Sequence, residues 1–395
     1  MSKKALTRRI LVSFWLILLA LLLVGCWGGD EIDALFIVTG VGLDTSDDPE
    51  KMNIVFQVAK TQAASSGDSG SSSADSTTVL LKTQRGTVAE AIADFNRDGS
   101  RKIFMQHNQV ILIGSALAEE GIADKIDLFV RDLEGRMEVP ILIVDGDAEE
   151  LLSVEMDQNK ISGLFLADVL ERQASTSIEY RIRLLDFASR LLDESSSPIA
   201  SMAEIVEEEG QDIIKITGMA VFQDGKMIGR LTNEETLGYI WAMGEVKNSG
   251  VVAKDDAGKA AFIIDELDTK KTLKLREDGG VAVKLSVSAT LTINELYGYS
   301  EMNPVELIDH LIELSQHAIR QRIEDTFIIA QHMRADIYRF GVMTHRRFPK
   351  EWRKMREHWD DVFAGIQLDV EVKATIPSTG KVIESLKMKE RNHDN

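Results

Sequence analysis

From position 281 to 293 every odd residue is apolar: Val281, Val283, Leu285, Val287, Ala289, Leu291 and Ile293. That period of two predicts a long strand with one face on a core. Met52, Ile54, Phe56 and Val58 repeat the pattern and predict a half-buried strand, and residues 367–374 alternate again as a closing strand. The apolar stretch 32–43 reads as a strand, with Gly40-Val41-Gly42 taken as a turn near its end. Residues 79–82 return to the sheet, and the short apolar runs at 110–113 and 141–144 read as buried strands. Helical spacing separates these runs. Thr87 and Glu90 form a capping box before Val88, Ala91, Ile92 and Phe95. Further helices are predicted over 116–132, from a cap at Asp147 and Glu150, near 161–171, near 181–192, and after Thr232 and Glu235. Asp224-Gly225 stands between two alternating runs and marks a hairpin. Asn303-Pro304 opens a helix whose pattern runs to Phe340, with Gly341 as its stop. A helix over 304–340 would be about 55 Å long. A shorter one is predicted over 349–363.

Strand–helix–strand passages followed by a strand-rich region place the chain in the α+β class, multi-domain, with mixed β-sheets, packed helices and a long C-terminal helix. The expected organisation is a segment at 1–25, an α+β region at 26–200 divisible into two subdomains, and a second α+β domain at 213–385 that holds helix 304–340. The Ser195-Ser196-Ser197-Pro198 cluster supplies the break between regions. Residues 63–77 are Gly/Ser-rich and read as a flexible surface loop between strands.

The first 25 residues change the picture. Lys3, Lys4, Arg8 and Arg9 precede an apolar run over 10–24, then Gly25 and Cys26, the only cysteine in the chain. The run is short for a spanning helix, which needs about 20 apolar residues, and suits a signal peptide. Leu23-Val24-Gly25-Cys26 matches the bacterial lipobox, in which the cysteine thiol takes up diacylglycerol and becomes the mature N-terminus. Processing would leave no further cysteine, so the fold would rest on its core without disulfides. The formal charge of the 395-residue chain is −19, and residues 1–25 hold four basic and no acidic residues, so the mature part is more acidic still. Such a body is repelled by nucleic acid and by anionic headgroups and is expected to stand off the membrane on its tether.

Chemistry is sparse. No P-loop, HExxH, serine elbow or cysteine–histidine metal cluster occurs. His332 and Asp336, one turn apart on the long helix, are read as an ordinary surface or helix-packing pair rather than metal ligands or an acid–base pair. Asp265, Glu266 and Asp268 are read as a solvated acidic edge, and His107 as a strand-entrance residue. No catalytic, metal or cofactor residue is assigned, and an enzyme is not expected. Residues 320–356 are locally basic in an acidic chain, with Arg346, Arg347, Lys350, Arg353, Lys354 and Arg356 most prominent. Trp352 and Trp359 lie seven apart and share a helix face. They pack the short helix on the long one in the first reading. In the second, Arg346, Arg347, Lys350, Trp352, Arg353 and Trp359 form a docking face for an acidic partner or phospholipid headgroups.

Several ordered blocks resemble the Ger(x)C lipoproteins, the C subunits of bacterial spore germinant receptors. After the lipobox come Trp27, Glu31-Ile32 and Gly42-Leu43-Asp44. The block at 107–114 (HNQVILIG) follows with Leu117-Ala118, Gly121-Ile122 and Arg131-Asp132. Next stand Gly218-Met219-Ala220-Val221-Phe222 and Gly225-Lys226-Met227-Ile228-Gly229. The most specific part is Asp336-Ile337-Tyr338-Arg339-Phe340-Gly341, then Phe348-Pro349-Lys350-Glu351-Trp352, then Trp359-Asp360-Asp361-Val362-Phe363. Gly28-Gly29 departs from the family's polar pair, and the 63–77 loop is unusually long. The resemblance implies a lipid-anchored subunit at the outer face of the spore inner membrane. Its partners would be integral membrane A and B subunits of a nutrient receptor. It implies no cofactor beyond diacylglycerol, with or without an N-acyl chain, on Cys26. The alternative reading is a lipid-anchored solute-binding protein that delivers a ligand to a transporter.

Overall fold

The computed structural model describes residues 13, 15, 32–60, 77–131, 135–156, 160–175, 181–244, 246, 248–299 and 302–378. Cys26 and all but Thr77 of the 63–77 loop lie outside them. The first half builds one mixed sheet from β1 (Leu35–Thr45), β2 (Met52–Ala59), β3 (Thr78–Arg85), β4 (Lys102–Phe104), β5 (Ile111–Gly114), β6 (Ile141–Val144), β7 (Ile199–Glu208), β8 (Gln211–Gln223) and β9 (Lys226–Leu231). The order is β3-β2-β1-β5-β6-β7-β8-β9, with β4 beside β1. Strands β1, β5, β6 and β7 run parallel, Val41 abreast of Ile111, Ile111 of Ile141 and Leu142 of Ser201.

Both faces of this sheet are covered. Ile54, Phe56, Ile111, Ile113, Ile141 and Ile143 face one core with α1 (Val88–Asp98), α2 (Ser115–Glu120), α3 (Asp127–Arg131) and α6 (Leu184–Leu191). Val55, Val110, Leu112, Leu142 and Val144 face a second core with α4 (Ala148–Ser153) and α5 (Ser162–Ser175). Continuous apolar runs at β5 and β6 follow from that double burial. It also corrects the half-buried reading of β2, where Val55 and Gln57 are each 1% exposed. Nor is Gly40-Val41-Gly42 a turn. It lies inside β1, and a Cβ on Gly40 would stand 2.9 Å from the Leu152 side chain. The glycines let α4 lie directly on the strand.

The second sheet has the order β10-β11-β12-β13, from Ser249–Lys254, Gly258–Leu275, Val281–Gly298 and Gln367–Ser378. The odd positions 281–291 of β12 are buried as their period predicts. Helices α7 (Asn233–Met243) and α8 (Pro304–His332) cover the buried face, and their core is continuous with that beneath β5 and β6.

Four boundaries differ from expectation. The break placed at 200–213 does not interrupt the sheet, because β8 pairs along the whole of β7 and carries β9 with it. The helix expected over 116–132 divides at Gly121, whose φ of 128° no side chain tolerates readily. The long helix ends at His332, not Phe340, and is about 44 Å long. Arg334 and Arg339, with φ of 58° and 59°, turn the chain before α9 (Phe340–Arg347), which contains Gly341. The last predicted helix is two, α10 (Pro349–Met355) and α11 (Trp359–Ala364), joined by a 3-10 turn.

Candidate docking surface and the junction behind it

Helices α9 to α11 form a small module at the join between the two sheets. Its buried residues, Phe340, Thr344, Trp352, Met355, Trp359 and Phe363, return at roughly helical intervals and turn inward. Trp352 stacks on His345 at 5.5 Å between ring centroids and meets Trp359 at 5.1 Å. The two tryptophans are 5% and 2% exposed, which removes both from any docking face. Arg346, Arg347, Lys350, Arg353, Lys354 and Arg356 are all exposed. Among the described residues no carboxylate pairs with the first five, and Arg356 reaches Glu357 only at 3.9 Å.

The module is held by Asp336, which the broken helix turns inside. Its carboxylate accepts hydrogen bonds from Phe340 N at 3.0 Å, Gly341 N at 2.7 Å and the Trp359 indole N–H at 3.1 Å. Burial pushes its pKa up to about 6, although these three donors and the nearby Arg190 guanidinium pull it down. Arg190, from α6, donates to the Ile337 carbonyl at 2.7 Å and to the Tyr239 hydroxyl at 2.9 Å. Burial, and then Arg190, lower Lys271 on β11 to about 8. Ser197 N donates to the Asp336 carbonyl at 3.1 Å. A Cβ on Gly341 would meet the Ser195 Cβ at 2.4 Å, so only glycine admits the 195–198 link this closely. The Ser-rich stretch expected to separate two regions is therefore where they interlock. His332 is exposed on α8 while Asp336 is buried beyond its end, so the two do not share a helix face.

The remaining candidates are scattered. Asp265, Glu266 and Asp268 are exposed on β11, and His107 is exposed beside Phe104. No group of three or more histidine, cysteine, aspartate or glutamate side chains suited to a metal occurs among the described residues. Two polar hubs escaped sequence reasoning. Gln57 donates to the Leu152 carbonyl and Ser162 hydroxyl, and accepts from the Thr39 hydroxyl and Gly163 N, which satisfies its amide fully. Asp44 accepts from Ala148 N at 2.7 Å and Glu149 N at 3.0 Å, so it, rather than Asp147, caps α4. Burial raises the Asp44 pKa against those two bonds. An open groove of about 810 Å³ lies between α5 and the β7–β8 hairpin, lined by Val154, Met156, Phe165, Ile205, Ile213 and Lys215. In its polar lining, which includes Glu150, Ser153, Glu155, Asp212 and Lys215, the Ser153 hydroxyl donates to the Glu150 carbonyl and Lys215 pairs with Glu208. No helix among the described residues is long and apolar enough to cross a membrane.

The fold and its surface thus describe a two-sheet α+β protein whose most distinctive features are an interlocked junction and a clustered basic face. Residues 29–205 match the family model described as spore germination protein N-terminal domain, and residues 217–380 the one described as spore germination B3/GerAC like, C-terminal. The chain belongs to the Ger(x)C family of spore germination proteins. Similar proteins of Bacillus subtilis (strain 168) include spore germination protein KC, 22% identical over 94% of this chain and 96% of that one. Spore germination protein A3 is 24% identical over 94% of this chain and 98% of its own length. The solved structure titled "Crystal Structure of the GerBC protein" superposes with a TM-score of 0.53 at 17% identity, covering 86% of this chain and 97% of that one. Neither family description names a reaction.

Proposed function

We propose that this chain is the lipid-anchored C subunit of a nutrient germinant receptor, tethered by Cys26 at the outer face of the spore inner membrane. There it assembles with polytopic A and B subunits and acts through protein contact, not catalysis. The observation that carries the reading is similarity along both halves to germination proteins of matching length. The lipobox cysteine supports it. Affinity purification of the tagged chain from dormant-spore membranes should recover two polytopic proteins. In the same spores Cys26→Ala should release the chain from membranes and slow nutrient-triggered germination. Recovery with an ATP-driven importer, and normal germination of the variant, would favour the solute-binding reading instead.

A further inference from the structure

The parallel strands fix where the basic module stands relative to the tether. Strands β1, β5, β6 and β7 all start at one end of the first sheet. Leu35, the first residue of β1 and nine residues past Cys26, lies at that end. So does the 195–198 link before β7, against which Gly341 and Asp336 pack. From β1 to β7 is three strand spacings, about 14 Å. Nine extended residues reach at most about 30 Å. The entry of the tether and the helical module therefore share one end of the molecule.

We propose that the face formed by Arg346, Arg347, Lys350, Arg353, Lys354 and Arg356 rests on the anionic phospholipid surface in which the tether is embedded, so that this end of the subunit lies against the bilayer. The proposal rests on the anchored reading above.

Charge density singles the face out: six exposed cations fall within the eleven residues 346–356. Arg97 with Asp94 and Asp98, Arg131 with Asp127, and half-buried Arg183 with Glu138 and Asp186 hold carboxylates. Exposed cations without one elsewhere among the described residues, such as Arg136, Lys160 and Lys226, stand far apart in sequence. Arg346, Arg347, Lys350, Arg353 and Lys354 have none among the described residues, in a chain of net charge −19. So dense a cluster suits an anionic surface supplied from outside. An acidic protein surface fits less well, because stable protein interfaces centre on an exposed aromatic or aliphatic anchor. No large apolar side chain in 340–364 is exposed, since Trp352 and Trp359 are turned inward. Long basic side chains alone suit headgroups. Leu192, the most exposed large apolar side chain described at 82%, caps α6 three residues before the 195–198 link and adds an apolar contact.

The acidic remainder does not prevent this approach. At physiological ionic strength charges more than about 8 Å apart in solvent are largely screened. Each cation at an anionic surface strengthens the contact by about fivefold. The tether holds the face close, so weak contacts add as intramolecular events.

The processed lipoprotein, reconstituted into vesicles of phosphatidylcholine alone or mixed with phosphatidylglycerol, tests the proposal. Retention on neutral vesicles reads the anchor. Amine labelling of Lys350 and Lys354, compared with Lys215 midway along the β7–β8 ladder, reads the face. On anionic vesicles labelling of Lys350 and Lys354 should slow by about fivefold or more while Lys215 is unchanged. High salt, or the surface variant R346E/R347E/R353E, should abolish the protection. Equal labelling on both lipids overturns the lipid contact and leaves the anchor standing, whereas loss from neutral vesicles overturns the anchor itself. Unchanged protection in the variant, with loss of co-purified membrane proteins from spores, would reassign the face to an acidic protein partner.

Discussion

Asp336 shows how one residue can organise a junction without being visible as such. In the sequence it continues a helical pattern, one turn after His332, and nothing local marks it as internal. The structure places it at 1% exposure with three N–H donors around its carboxylate. A buried charge in that position is tolerated only because those donors replace water. They do not replace it fully, so the pKa rises from 3.8 to about 6. A raised carboxyl pKa means the folded state holds the proton more tightly than the unfolded chain. Its stabilising contribution is complete below 3.8 and is lost as pH rises through about 6. The Asp336→Asn variant cannot titrate there. Relative to it, the wild type should lose up to about 3 kcal/mol across that window, measured as urea unfolding at matched pH values. A flat difference would mean the carboxyl titrates normally. Gln57 was hidden for a related reason. A polar residue alternating with apolar ones reads as solvent-facing, and only α4 and α5 arriving from 95 to 106 residues away turn that face into an interior.

At the scale of elements, what the chain writes locally was the readable part. The alternation of β12, the Asp224-Gly225 hairpin with φ of 51° and 77°, and the capping box at Thr232 and Glu235 all stand where short-range physics puts them. So does the start of α8, where the Asn303 side chain accepts from Val305 N and Glu306 N ahead of Pro304. Asn303→Ala should lower stability by about 1 kcal/mol, read as a reduced denaturation midpoint at unchanged slope. The end of the same helix was not readable, because it is set by distant groups. Gln331 donates to the carbonyls of Phe363, Ala364 and Ile366, and Asp336 is drawn toward Trp359. Starts are written in caps, whereas this stop is written in tertiary contacts. The candidate docking residues divided the same way. Their charges were legible, but the inward turn of both tryptophans depends on what they pack against.

For the molecule as a whole, sequence blocks and folding units do not coincide. The two family models meet between residues 205 and 217, inside the β7–β8 hairpin. A fragment ending at residue 210 would leave β7 as an open edge and uncover Met202 and Ala203, while Arg190 would lose Ile337 and Tyr239. We expect that fragment to aggregate or bind a hydrophobic dye. The intact chain, whose core runs from β5 to β13, should unfold with coincident fluorescence and circular dichroism transitions. Separate transitions in the intact chain would show the halves to be independent. The placement of β1 bears on a different property. It sits inside the sheet, bonded antiparallel to β2 along Val38–Thr45 and parallel to β5 and β4 on its other side. A tether joined to the start of such a strand delivers tension along the strand axis, so its ladder hydrogen bonds are loaded in shear and must give way together. An edge strand would peel one bond at a time. If the chain is anchored through Cys26 as proposed, it is thus built to bear a sustained pull from that end without unravelling.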